Sequence, residues 1–203
     1  MVKIKICGLT TPREAEWISA AGADYAGMVL FFPKSKRNIS IETAREIMGA
    51  LAPQIRKAAV VVSPKKSEIE QIQEAGFDII QMHGEIAPEV LETLKIPFLR
   101  AFNVNNMKEW EKYEKEPKCA GYVFDAVEPG SGKTFDWGSI PRLPENGKPW
   151  LLAGGLNPEN VEAAIAGVHP YGVDVSSGVE CASGQGKDPD KIRAFVRAVR
   201  HEK

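Results

Sequence analysis

The sequence contains no long apolar run. The longest candidate covers only residues 26–32, whereas a helix that spans a bilayer needs about 20 apolar residues. The first residues alternate apolar side chains with Lys3 and Lys5, so they lack the apolar segment of a secretory signal peptide. We therefore expect neither a membrane partner nor a signal peptide.

Cysteine and net charge are also scarce. The three cysteines, at positions 7, 119 and 181, are odd in number and widely spaced, which argues against a disulfide framework or a zinc site. A reducing, cytoplasmic setting is the simplest expectation. A formal net charge of -1 argues against a nucleic-acid partner.

Two common nucleotide-binding motifs are missing. The first predicted strand is not followed by Gly-x-Gly-x-x-Gly. The segment GSGKT at 130–134 resembles the end of a P-loop, but Val127 stands where that motif requires glycine. We interpret this glycine-rich segment as a mobile lid over a site. The alternative is an ordinary surface loop.

Strand-like segments alternate with helical ones along the whole chain, which indicates a parallel sheet. Predicted strands cover residues 2–7, 24–30, 56–62, 78–83, 97–102, 121–125, 149–153 and 171–175. Predicted helices cover 12–22, 40–50, 65–74, 88–94, 106–115 and 189–200, with a helical piece from Asp136 and another capped by Asn157. Eight units favour closure into a compact (β/α)₈ TIM barrel. The alternative is an open doubly wound sheet.

The length of 203 residues fits one domain, so we expect residues 1–203 to form a single barrel. Barrels of this kind carry their sites at the carboxyl ends of the strands. Reactive residues at those predicted ends are therefore the candidates. The first is Cys7, which ends the first strand.

Cys7 has the same strand parity as Lys5 and the opposite parity to Ile4 and Ile6. Because the apolar face packs on helices, we expect Cys7 and Lys5 to point into the barrel. A nearby ammonium would lower the pKa of the thiol and make it a better base. The alternative is that Cys7 is a small buried packing residue.

Asp125 ends an apolar strand, and Gln81 and His83 end another. To act as a general acid near pH 7, Asp125 would need a pKa raised by about three units, which requires a desolvated pocket or a neighbouring anion. The alternative is a turn aspartate that accepts hydrogen bonds from the next backbone amides.

Glycine-containing turns follow the seventh and eighth predicted strands, where barrels frequently bind phosphate. Glycine lets backbone N–H groups approach phosphate oxygens. The candidate phosphate ligands are Gly154, Gly155, Ser176, Ser177 and Gly178. In the basic loop at 32–38, Arg37 is the candidate for a bound carboxylate, because a guanidinium matches the geometry of this group. The alternative, which is the default for a run of charges, is a solvated basic loop.

Six stretches, in this order, resemble the phosphoribosylanthranilate isomerases of tryptophan biosynthesis. They are KICGLT at 5–10, PKSKR at 33–37, QMHG at 81–84, GSGKTFDW at 130–137, AGGLNPENV at 153–161 and VDVSSGVE at 173–180. Each is weak alone, but together they span the chain.

The resemblance implies the Amadori rearrangement of N-(5′-phosphoribosyl)anthranilate to 1-(2-carboxyphenylamino)-1-deoxyribulose 5-phosphate. It implies that Asp125 is the general acid that protonates the ribose ring oxygen, and that Cys7 is the general base that removes the C2 proton. Arg37 would hold the anthranilate carboxylate, and the two turns would hold the phosphate. No metal or organic cofactor is expected, because the substrate carries its own imine chemistry.

Asp174, Gln81 and His83 are further candidates for polar contacts with the substrate. Two other functions stay open: a sugar-phosphate isomerase of histidine biosynthesis, whose family has aspartate where this chain has Cys7, and a barrel that senses a phosphorylated ligand without turnover. A monomer is expected because no exposed apolar stripe stands out, although a homodimer is possible.

Overall fold

The computed structural model describes residues 1–103, 105–126, 136–140 and 147–201. Within these ranges nine strands form one sheet, and every paired neighbour is parallel. The strands are β1 Lys3–Cys7, β2 Tyr25–Leu30, β3 Asn38–Ile39, β4 Arg56–Val62, β5 Ile79–His83, β6 Phe98–Asn103, β7 Cys119–Asp125, β8 Trp150–Leu152 and β9 Gly172–Val175.

The sheet closes on itself. Its order is β1-β9-β8-β7-β6-β5-β4-β2-β3, and β1 also pairs with β2. The two-residue strand β3 pairs only with the end of β2, so the other eight strands form the closed ring. The predicted (β/α)₈ barrel is therefore confirmed. Because β3 was not predicted, the seventh and eighth predicted strands are β8 and β9.

Helices follow the barrel strands and cover the outside of the ring. They are α1 Pro12–Ala21, α2 Ile41–Gly49, α3 Lys66–Ala75, α4 Pro88–Thr93, α5 Val161–Val168 and α6 Pro189–Arg200, with 3₁₀ helices at Met107–Tyr113, Trp137–Ser139 and Ser177–Val179. None of the helices in the described ranges combines the length and hydrophobicity that crossing a bilayer requires.

The ends of α1 follow from local chemistry. Thr11 accepts a hydrogen bond from the backbone of Glu14, and Glu14 accepts one in return from the backbone of Thr11. This capping box satisfies amides that the first turn leaves unpaired. Gly22 ends the helix in the left-handed region at φ 81°.

Two predicted helices differ in the structure. The segment predicted at 106–115 forms a 3₁₀ helix over Met107–Tyr113, and Met107, Trp110 and Tyr113 lie on the one face that packs against the core. The helix after β8 begins only at Val161. Asn157 instead closes a turn, in which its side chain accepts from the backbone of Glu159 and of Asn160.

Side chains alternate along β1 between an outer core, under the helices, and an inner core, inside the barrel. Ile4 and Ile6 are fully buried between the strands and the helices. Lys5 is equally buried but points into the barrel, as predicted. The small inner core consists of Ala58, Ile79, Leu99, Ala101, Val123, Leu151 and Ala153. Because several of these side chains are small, the barrel stays open above them.

Candidate active site

A cavity of about 610 Å³ occupies the carboxyl ends of the strands. Ten of the predicted site residues line it: Cys7, Arg37, Gln81, His83, Asp125, Gly154, Gly155, Asp174, Ser176 and Ser177. The predicted residue that is not part of the lining is Gly178. Closure of the barrel therefore brings together side chains that lie up to 170 residues apart in the chain.

Lys5 and Asp174 form an ion pair inside the barrel beneath Cys7. The Lys5 ammonium donates to both carboxylate oxygens of Asp174, at 3.0 and 2.9 Å. Burial lowers the pKa of Lys5, but the charges of Asp174 and Cys7 raise it by more, to about 12. This pair places fixed charges of both signs at the base of the cavity.

Lys5 lowers the pKa of the Cys7 thiol, as the sequence predicted, but the net shift of this pKa is upward. Although the residue is partly exposed, burial of the thiol raises its pKa, and the charge of Lys5 only partly offsets this effect. The charge of Asp174 raises the pKa further. Lys5 therefore acts on the thiol as predicted, while burial and the charge of Asp174 outweigh its effect on the pKa.

Gly27 has no side chain and so leaves room for the side chains of Cys7 and Lys5. It was not predicted as a site residue. A β-carbon at this position in β2 would lie 2.9 Å from Cys7 Sγ and 2.9 Å from Lys5 Nζ. Real β-carbons do not approach other atoms so closely, so a side chain at Gly27 would displace both groups. A glycine inside a predicted strand was the available signal for such a close approach.

Asp125 ends β7, and its side chain is buried apart from 8% of its surface. Burial, and secondarily the charge of Asp174, raise its pKa to about 7. Its Oδ1 also accepts a 2.7 Å hydrogen bond from the backbone N–H of Ala126. Asp125 therefore makes the backbone contact of a turn aspartate, and its raised pKa lets the carboxyl group hold a proton near neutrality.

His83 is a neutral side chain that lines the same cavity. Burial lowers its pKa to about 4, and the charges of Lys5 and Arg100 act in the same direction. Gln81 Nε2 lies 2.9 Å from His83 Nε2. An amide nitrogen only donates, so His83 accepts here and keeps its proton on Nδ1. Gln81 Oε1 is buried without a partner among the described residues.

The two predicted phosphate-binding turns pack against each other. Gly154 and Gly155 have positive φ angles of 87° and 66°, so both positions favour glycine. A β-carbon on Gly154 would lie 2.6 Å from the amide nitrogen of Ala126. One on Gly178 would overlap the carbonyl oxygen of Leu156. Gly178 thus lets the turn after β9 approach the turn after β8, which explains its place outside the cavity lining.

Arg37 reaches the cavity from the loop after β2. Its Nε donates to Glu180 Oε1 at 2.5 Å. Lys187 is buried nearby, and its ammonium donates to the carbonyl and the hydroxyl of Ser176, at 3.1 and 3.2 Å. Neither Glu180 nor Lys187 was predicted as a site residue. Glu180 is only the last residue of the family-like stretch at 173–180, and Lys187 lies outside all six stretches.

Two further expectations concern the lid and a metal site. The predicted lid at 130–134 lies outside the described part of the chain. Within the described part, no group of three or more His, Cys, Asp or Glu side chains is arranged to hold a metal ion.

The fold and the site together define a (β/α)₈-barrel enzyme with a carboxyl group of raised pKa and a thiol at one mouth. Residues 4–198 match the family described as N-(5′-phosphoribosyl)anthranilate (PRA) isomerase. A protein of Streptococcus pneumoniae (strain Taiwan19F-14) named N-(5′-phosphoribosyl)anthranilate isomerase is 41% identical over 202 residues, which are 99% of this chain and 97% of that protein.

Solved structures agree with this match. Monomers generated from the dimeric phosphoribosylanthranilate isomerase of Thermotoga maritima share 36% identity and a TM-score of 0.85, over 99% of this chain and 100% of that one. A phosphoribosylanthranilate isomerase in complex with reduced 1-(o-carboxyphenylamino)-1-deoxyribulose 5-phosphate shares 33% identity and a TM-score of 0.79, over 99% and 100%. The chain belongs to the N-(5′-phosphoribosyl)anthranilate isomerase family.

Proposed function

We propose that this chain catalyses the Amadori rearrangement of N-(5′-phosphoribosyl)anthranilate to 1-(2-carboxyphenylamino)-1-deoxyribulose 5-phosphate, a step of tryptophan biosynthesis. The observation that carries the proposal is that one cavity is lined by both Asp125, whose pKa is about 7, and the thiol of Cys7. The complex of a relative with a reduced form of the same product supports the ligand class.

The first step needs an acid. With a pKa of about 7, Asp125 is protonated in a large fraction of molecules at neutral pH. It donates this proton to the ribose ring oxygen, the ring C–O bond breaks, and the nitrogen lone pair forms a Schiff base at C1. Asp125 then becomes a carboxylate.

The second step needs a base. Cys7 lies on β1, and Asp125 lies on β7, three positions away around the ring. The two groups therefore suit opposite sides of one sugar. The Cys7 thiolate removes the C2 proton, the electron pair moves toward the iminium nitrogen, and the resulting enolamine tautomerises to the ketone. The charge of Lys5 favours the thiolate that this step uses.

The remaining groups bind the substrate in this proposal. Arg37 pairs with the anthranilate carboxylate. The turns that contain Gly154 and Gly155, and Ser176 to Gly178, hold the phosphate through backbone N–H groups. Asp174, Gln81 and His83 make polar contacts to the substrate, and Gln81 Oε1 is available to a hydroxyl donor. No metal or organic cofactor takes part.

The setting of the reaction completes the proposal. A cytoplasmic location is supported by Cys7, Cys119 and Cys181, all of which are free. A monomer is sufficient for the chemistry, since both Cys7 and Asp125 line one cavity of one chain. A homodimer is the alternative, because the relative from Thermotoga maritima is described as dimeric.

The test is consumption of the fluorescent substrate by the purified protein, together with complementation of a tryptophan auxotroph that lacks this step. We expect turnover by the wild-type chain and loss of most of kcat in Cys7→Ala, by about 100-fold or more. A sensor would bind the substrate without consuming it. Wild-type kcat in Cys7→Ala would rule out Cys7 as the base.

A further inference from the structure

Glu180 forms ion pairs with several cationic side chains at the edge of the cavity. It lies just after the 3₁₀ turn that follows β9, and only 6% of its surface is exposed. Its Oε1 accepts from Arg37 Nε at 2.5 Å and lies 3.5 Å from Lys187 Nζ. Its Oε2 accepts from Lys36 Nζ at 2.8 Å. One buried carboxylate therefore contacts three cationic side chains.

The contact through Nε matters for Arg37. A guanidinium is a rigid planar fork, so a hydrogen bond at Nε fixes the direction in which the plane faces. The side chain of Arg37 also crosses the turn after Cys7, where a β-carbon on Gly8 would overlap Arg37 Cδ. Arg37 is thus confined on one side by Gly8 and anchored at Nε by Glu180.

Lys187 connects Glu180 to the end of β1, where Cys7 lies. Its ammonium contacts Glu180 and Ser176, and the Ser176 hydroxyl donates to the Cys7 carbonyl at 2.9 Å. Its backbone N–H donates to Glu14 Oε1 at 2.6 Å, and Glu14 Oε2 accepts from the amide of Thr10. The loop that carries Glu180 is therefore tied to the turn that follows Cys7.

We propose that Glu180, supported by Lys187, is a positioning residue that orients Arg37 toward the carboxylate of the substrate and so sets the preference for a carboxylated aryl group. This inference rests on the proposed function. Glu180 does not contact the substrate itself; it fixes the guanidinium that does. A residue that only held two loops together would affect every ligand equally, and this difference supplies the test.

The experiment compares two ligands by calorimetry. One is reduced 1-(o-carboxyphenylamino)-1-deoxyribulose 5-phosphate, and the other is the same molecule without the carboxyl group. In Glu180→Ala we expect affinity for the carboxylated ligand to fall by about tenfold or more, while affinity for the other changes less than about twofold. Glu180→Gln should give a smaller selective loss, because its amide oxygen still accepts from Arg37 Nε.

Controls separate positioning from folding. Glu162 is an exposed glutamate on α5, and Glu162→Gln should bind both ligands as the wild type does. In an Arg37→Ala background, Glu180→Ala should cost almost nothing further, because the group that it positions is gone. If Glu180→Ala does not fold, Glu180→Gln carries the same comparison.

The possible failures are distinct. Equal weakening of both ligands in the Glu180 variants, or no weakening of either, overturns the positioning role and leaves the proposed function intact. If the wild-type chain binds neither ligand, the proposed function fails, and this inference fails with it.

Discussion

Asp125 couples function to stability at the scale of a single residue. Its pKa is about 7 in the folded protein, compared with an ordinary value of 3.8. The folded state therefore holds this proton more tightly than the unfolded state. The sign follows from linkage: Asp125 imposes no penalty below the unfolded pKa, and its penalty grows as the pH rises from about 4 to about 7.

We predict that Asp125→Asn loses activity while it gains relative stability at high pH. Asparagine does not titrate, so the difference in unfolding free energy between variant and wild type should move in favour of the variant by up to about 4 kcal/mol between pH 4 and pH 8. Urea denaturation at both pH values measures this shift. The exposed Asp190→Asn should follow the wild type. A pH-independent difference for Asp125→Asn would contradict the raised pKa.

Single residues also mark the limit of sequence reasoning. Strand parity correctly predicted that Cys7 and Lys5 point into the barrel, because parity is a local property of β1. It did not reveal that Lys5 pairs with Asp174, which lies 169 positions away in the chain. The net direction of the Cys7 pKa depends on this pairing and on burial, and neither can be read from neighbouring residues.

At the scale of the element, β2 shows how a strand is shaped around the groups that it faces. Its Gly27 lies opposite Cys7 in the register of β1 and β2, and its carbonyl accepts from the amides of Gly8 and Leu9. The absence of a side chain allows the Cys7 thiol and the Lys5 ammonium to lie side by side.

We predict that Gly27→Ala damages both stability and catalysis. The added β-carbon would lie 2.9 Å from both Cys7 Sγ and Lys5 Nζ, so both of these groups must move. We expect a loss of about 1–3 kcal/mol in unfolding free energy and a fall in kcat. Gly49→Ala in α2 is the matched control, because a β-carbon there meets no atom within 4 Å. Wild-type kcat in Gly27→Ala would show that the Cys7 position tolerates displacement.

Elements differ in how far the sequence determines them. The bounds of α1 follow from Thr11, Glu14 and Gly22, which act within a few residues of each other, and these bounds were predicted. The 3₁₀ helix at Met107–Tyr113 was predicted as an ordinary helix, since apolar residues three apart are compatible with both forms. Packing against the barrel decides between the two forms, and packing is not a local signal.

At the scale of the whole molecule, closure is what assembles the site. Counting eight strand–helix units was sufficient to predict the barrel, and the rule that sites lie at the carboxyl ends of strands then located ten lining residues. The link from Arg37 to Glu180 spans 143 positions and joins two loops rather than two strands. No periodicity or spacing predicts such a contact, so the residues that orient the site emerged only from the structure.

The buried pair of Lys5 and Asp174 gives the final prediction, because it joins the first barrel strand to the last, β1 to β9, inside the barrel. Lys5→Met leaves the Asp174 carboxylate buried without its partner, which should cost about 3–5 kcal/mol of unfolding free energy. The double variant Lys5→Met, Asp174→Leu removes both charges, so it should recover most of this loss while it stays inactive. Urea denaturation and kcat measured on the three proteins test this separation. A double variant as unstable as Lys5→Met would mean that the barrel needs the charges themselves for folding, whereas recovery without activity would mean that the pair is retained for the field it creates at Cys7 and Asp125.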